Sequence, residues 1–125
     1  HVSGISEQVA FTQLLDVIAG KILVAHGCIM EQRFLEQYIK MKYQNLKLPL
    51  IWLDTLKIEQ YRTQLRPTRS EWRLSSIRKE LNLPTYQAHN ALNDAIATAE
   101  LYLAQINCLF GLSSAPLHVL VNASR

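Results

Sequence analysis

The sequence predicts an α/β protein, and three observations carry that expectation. Two short runs, "KILVA" at 21–25 and "PLIWLD" at 49–54, have the length and the β-branched, apolar character of buried strands. Between them, "MEQRFLEQYIKMKY" repeats Met30, Phe34, Leu35, Tyr38 and Met41 at helical spacing, so the natural unit is strand, helix, strand with parallel strands. The third observation is scale: 125 residues at 49% hydrophobic, with only 4 glycines and 4 prolines, fit one folded domain rather than a disordered tract.

The remaining elements follow in order. From Ser6 to about Ala19, Val9, Leu14, Leu15 and Ile18 recur at helical spacing, with Ser6 as N-cap and Gly20 as the stop. After the second strand the pattern gives a helix near Thr55 to Leu65, a break at Pro67, and a helix from about Ser70 to Leu81. Pro84 bars immediate re-entry into a helix. Asn90 then caps a last long helix that runs to roughly Leu109 along Ala91, Ala95, Ala99, Tyr102 and Leu103. Its small residues suit close packing against a sheet, and Asp94 is drawn inward with them. The tail "PLHVLVN", within a C-terminal arm at 111–125, reads as a short strand or an ordered arm, and the whole of 1–125 as a single domain.

No segment has the 18 or more apolar residues of a membrane span, and the start lacks the order of a secretory signal, so the chain reads as soluble and cytoplasmic. Cys28 and Cys108 stand far apart without zinc spacing and read as buried free thiols. The net charge of +3 is uneven: ten of thirteen basic residues lie between Lys40 and Lys79, against three acidic ones there. Two readings fit that bias, solvated helix faces and a surface that meets nucleic acid. In "YRTQLRPTRSEWR", Tyr61 and Trp72 have the chemistry to stack on bases, while Arg62, Arg66, Arg69 and Arg73 suit phosphates.

The most informative stretch is "HNALNDA", His89 to Ala95, which sets a histidine and an aspartate five residues apart at the mouth of the last helix. It matches the third motif, H-x-A-x-x-D-A, of the DnaQ-like (DEDDh) 3'-to-5' exonucleases related to the epsilon subunit of DNA polymerase III. "LVAHGCIMEQRFL", 23–35, is similar to the family's second motif, and "WLDTL", 52–56, to the "DTL" after the next strand. "LSSIRKELNLP", 74–84, resembles the helix and turn before the third motif. Four landmarks in order make the resemblance specific.

The resemblance implies a ribonuclease-H-like exonuclease fold and hydrolysis of DNA or RNA 3' ends to 5'-mononucleotides. It implies His89 as general base, Asp94 as a metal ligand, and Mg2+ or Mn2+ as the ions of a two-metal site. Glu31 stands at the second motif's aspartate position, as a metal ligand or as a solvated helix residue, with Gly27 and Met30 where the family commonly has Asn and Phe. His26, in the motif's "AH" pair, and the four arginines become nucleic-acid contacts. The family's first motif, D-x-E, occurs nowhere in these residues, and "HVSGI" resembles the segment after the third strand. The expectation is therefore a domain lacking its first three strands, inactive alone, its open strand edge covered by a homodimer. The alternative is a non-catalytic remnant that binds nucleic acid or protein.

Overall fold

The computed structural model describes residues 7–42, 50–64, 71–111 and 113–125. The expected Ser6 cap, the break at Pro67, and Arg66 and Arg69 lie outside the described residues, while the helix expected from about Ser70 starts only at Leu74, after an extended Arg73. The chain forms α1 (Glu7–Ile18), β1 (Ile22–Ala25), α2 (Ile29–Lys42), β2 (Ile51–Asp54), α3 (Thr55–Arg62), α4 (Leu74–Glu80), α5 (Ala91–Phe110) and α6 (Leu117–Ala123). The mixed helix and strand reading holds. β1 and β2 pair in parallel, with Leu23 opposite Trp52 and Val24 opposite Leu53.

That register divides the core. Leu23 and Trp52 share one face and pack on Leu15 and Ile18 of α1 and Leu35 and Ile39 of α2. Leu53 faces the other way and packs with Ile58 of α3 and Leu120 of α6, under Tyr102, Ile106 and Leu109 of α5. The alternation is the period-2 consequence of a pleated strand, and it leaves helices on both faces of the sheet. Gly20 ends α1 with a left-handed φ of 72°, while Lys21 donates its backbone N–H to the Ile18 carbonyl.

The structure refines several sequence expectations. The tail, read as a short strand or an ordered arm, forms a helix. "LHVLVNA" alternates like a strand, but Pro116 fixes an entry φ of −75° and Leu120 is buried against Leu53 and Ile58. Ser124 then donates its hydroxyl to the Leu120 carbonyl and accepts the Asp54 N–H. On α5 the buried side is Ala97, Thr98, Leu101 and Gln105, while Ala91, Ala95 and Ala99 are exposed. On α2 the buried residues are Leu35 and Ile39, while Met30, Phe34 and Met41 are each at least 66% exposed. On α2 only Leu35 of the expected row is buried, and on α5 the buried side includes Thr98 and Gln105, so the surface each helix meets selects its face beyond the apolar pattern.

Candidate active site

Four of the predicted site residues line one open cavity of about 510 Å³: His26, Glu31, His89 and Asp94. They arrive from three places. His26 follows β1, Glu31 sits in the first turn of α2, and His89 and Asp94 flank the start of α5. Val24, Leu74, Tyr86 and Thr98 complete the walls.

The aspartate's position follows from the cap. Asn90 is extended, at φ −109° and ψ 124°, and its side chain accepts the Asn93 N–H, so α5 begins where the sequence predicts. Asp94 falls in the first turn, half-buried, where the helix dipole favours a carboxylate. Its backbone N–H reaches the Asn90 carbonyl at 2.8 Å, and its carbonyl accepts the Thr98 hydroxyl at 2.8 Å. Its side chain has no hydrogen bond or ion pair among the described residues, and neither has that of Glu31. Two hard oxygen donors therefore face the cavity with their lone pairs uncommitted, the chemistry that suits Mg2+ or Mn2+. Among the described residues no group of three His, Cys, Asp or Glu side chains is close enough to enclose an ion.

His89 is exposed and holds a φ of 67°, a left-handed value that a non-glycine residue adopts at some cost. It stands outside the helix, on the residue before the cap. Tyr86 stands three residues earlier: burial pushes its phenol up, the Asp94 charge adds to this, and Arg78 opposes it.

His26 serves a different end. Its Nε2 lies 2.8 Å from the Trp72 carbonyl, an acceptor, so that nitrogen carries a proton. Its Nδ1 is 2.7 Å from the Thr55 hydroxyl. The ring thus ties the end of β1 to α3 and to the residues before α4. Asp54 does comparable work beneath it, buried at 3% exposure. Its Oδ1 accepts the N–H of Gly27 at 2.8 Å and of Leu56 at 2.9 Å, and its Oδ2 that of Cys28 at 3.2 Å. The "DTL" aspartate is both the cap of α3 and the anchor of the turn that carries Glu31. Gly27 in that turn has φ 66°. Asn, which the resemblance expects at this position, is the side-chain residue that best tolerates such a backbone. Burial pushes the Cys28 thiol up to about 11, helped by the charge and hydrogen bond of Asp54.

The predicted nucleic-acid arginines separate. Arg73 is 79% exposed in its side chain, next to the cavity-lining Leu74, and holds Glu71 at 3.5 Å. Arg62 turns inward: Nε and Nη2 reach the two oxygens of the fully buried Glu59 at 3.0 and 2.7 Å, and this hydrogen bonding raises the guanidinium above its ordinary range. Sequence reasoning passed over Asp54, Tyr86 and Arg78 as site residues. The "DTL" landmark pointed to the first, while nothing in the spacing singled out the other two.

Residues 10–105 match the family model described as DNA polymerase III subunit epsilon-like, C-terminal domain. The chain belongs to that family. It is 32% identical over 91 residues to the PolC-type DNA polymerase III of Thermotoga maritima, and 31% identical over 91 residues to that of Thermotoga petrophila. The aligned part is 73% of this chain and 6% of either relative, so the chain spans a small fraction of the curated relatives it matches. No solved structure matches it. The family is an exonuclease family related to DNA polymerase III, and DEDDh enzymes normally use divalent metals. Among the described residues no helix is long and apolar enough to cross a membrane.

Proposed function

We propose that this chain is the C-terminal part of a cytoplasmic, ribonuclease-H-like 3'-to-5' exonuclease domain, acting on DNA or RNA 3' ends to release 5'-mononucleotides. The observation that carries the reading is the meeting of His89, Asp94 and Glu31 on one cavity from separate elements. Asp94 and Glu31 would supply part of the ligand set for Mg2+ or Mn2+, and the carboxylates of a D-x-E motif, which these residues do not contain, would be needed to complete it. Bound divalent ions in such a site activate a water and offset the charge that develops on the attacked phosphate. His89, on an exposed backbone position beside the cap, takes the water's proton. The Tyr86 phenol is a hydrogen-bond donor at the same wall.

The 3' strand enters past Arg73, with His26 holding the β1 turn in register with α3 and α4. In the 125-residue chain taken alone, a homodimer covers the second edge of β1, where Ile22 and Val24 are 45% and 37% exposed, and the α5 stripe of Leu92, Ile96 and Leu103.

The test is Mn2+ titration of the isotope-labelled chain, followed by paramagnetic line broadening. Amides near Glu31 and Asp94 and the His89 ring protons broaden first, and Asp94→Asn abolishes the effect. Broadening that is spread over the surface, or indifferent to Asp94→Asn, overturns the metal assignment.

A further inference from the structure

We infer that Arg78 is the positioning residue for His89, acting through the segment between α4 and α5; the inference rests on the reading of His89 as the base. Arg78 is 2% exposed, and a buried guanidinium is sustained only by partners. Here they come from two other parts of the chain. Nη2 donates to the Pro84 carbonyl at 2.7 Å, and Nη1 donates to the Ala97 carbonyl at 2.8 Å and pairs with Glu100 at 3.1 Å. The guanidinium carbon lies 5.2 Å from the centre of the Tyr86 ring. One planar group on α4 thus grips the connecting segment from its carbonyl side and its aromatic side, and fastens both to α5.

The segment needs that grip. Among the described residues, the bond from Arg78 is the one hydrogen bond made to residues 84–86. Three residues beyond Tyr86 stands His89 at φ 67°, a conformation that persists only when its surroundings impose it. The Asn90 cap and the Asn93 side chain, which donates to the Gln87 carbonyl at 3.3 Å, constrain the far end. Arg78 constrains the near end, and it also seats Tyr86 as the cavity wall beside Asp94. A lysine keeps the charge but loses the fork that reaches two carbonyls at once and the flat face over the ring.

The experiment compares amide heteronuclear NOEs of the wild-type chain and Arg78→Lys, with far-ultraviolet circular dichroism to establish that both fold. In the variant, the NOEs of residues 85–90 fall from those of ordered backbone towards those of a mobile loop, while those of β1, β2 and α3 keep their values. With Mn2+ present, broadening of the His89 ring weakens relative to that of the Asp94 amide, a change that a purely stabilising residue does not produce. A uniform fall along the chain, or unchanged NOEs at 85–90, overturns the proposal. Should Arg78→Lys fail to fold, Tyr86→Leu loosens the same segment with the arginine's hydrogen bonds left in place. It is expected to lower the NOEs at 85–90 selectively, and no change there is equally fatal. Absence of any Mn2+ broadening in the wild-type chain sinks the metal reading alone, because the NOE comparison needs no ion.

Discussion

Asp54→Ala strips the carboxylate that joins β2, the cap of α3 and the turn at Gly27 and Cys28. Three backbone N–H groups lose their acceptor: Gly27 and Leu56 at 2.8 and 2.9 Å, and Cys28 at 3.2 Å. Loss of an N-cap costs about 1 kcal/mol, and a buried N–H left without an acceptor costs about 1–3 kcal/mol. The two short bonds dominate, because a bond at 3.2 Å is weak, so the expected destabilisation is roughly 3–5 kcal/mol. Asp54→Asn separates geometry from charge. Its one remaining oxygen, in the place of Oδ1, keeps both short bonds, and the amide forfeits only the one to Cys28. Its cost is expected to be about 1–2 kcal/mol. Urea denaturation followed by circular dichroism measures both variants. Equal losses, or a loss below about 1 kcal/mol for the alanine, refute the assignment of Asp54 as the anchor of the turn.

The Cys28 thiol, pushed by burial from an ordinary 9.0 up to about 11, makes stability full below pH 9 and lets it decline as pH rises towards 11. The drop is on the order of 2 kcal/mol, and Cys28→Ala removes it in urea titrations at stepped pH. Cys108, expected from the sequence to be buried, is exposed on α5, so at neutral pH a thiol reagent labels it quickly and the buried Cys28 only on unfolding. Charge reversal at Arg66, Arg69 and Arg73 weakens binding of a labelled single strand; fluorescence anisotropy should show wild-type affinity falling with salt, at a slope of about −0.7 per phosphate contact. An affinity that ignores salt contradicts the charge argument. Light scattering at micromolar concentration is expected to give a dimer mass, and a monomer that unfolds cooperatively removes the proposed pairing through β1.

The strand, helix, strand unit was legible because each strand is short, apolar and bounded by turn residues, and the register then followed from packing. The start of α5 was legible too, since Asn90 caps in the way its side chain dictates. Helix faces were harder. Phe34 and Met41 compete with Leu35 and Ile39 for the core, and only the partner surface decides which row is buried. The open reading of the tail, as a strand or an ordered arm, has the same origin: Leu117, Leu120 and Val121 satisfy both a strand and a helix pattern, and the pocket formed by Leu53 and Ile58 selects the helix. His26, Glu31, His89 and Asp94 could be named from their motifs, but that they share a cavity is a tertiary fact. Arg78 left no trace in the sequence, because an arginine in a basic stretch looks like any other until its burial is known. Arg62 shows the same limit in reverse, a cation expected at phosphates and found bound to Glu59.

The central claim, that His89 and Asp94 belong to a metal-dependent nuclease site, is tested most directly by nuclease assay of the intact open reading frame. The substrate is a 5'-labelled single strand incubated with Mn2+, and shortening from the 3' end is followed over time. The wild-type protein is expected to release mononucleotides in sequence, His89→Ala to lose at least about a hundredfold in rate, and Asp94→Ala to lose all detectable activity. The 125-residue chain alone is expected to show none above background. Undiminished activity in both variants, or processing of the strand by this chain alone that survives Asp94→Ala, contradicts the account.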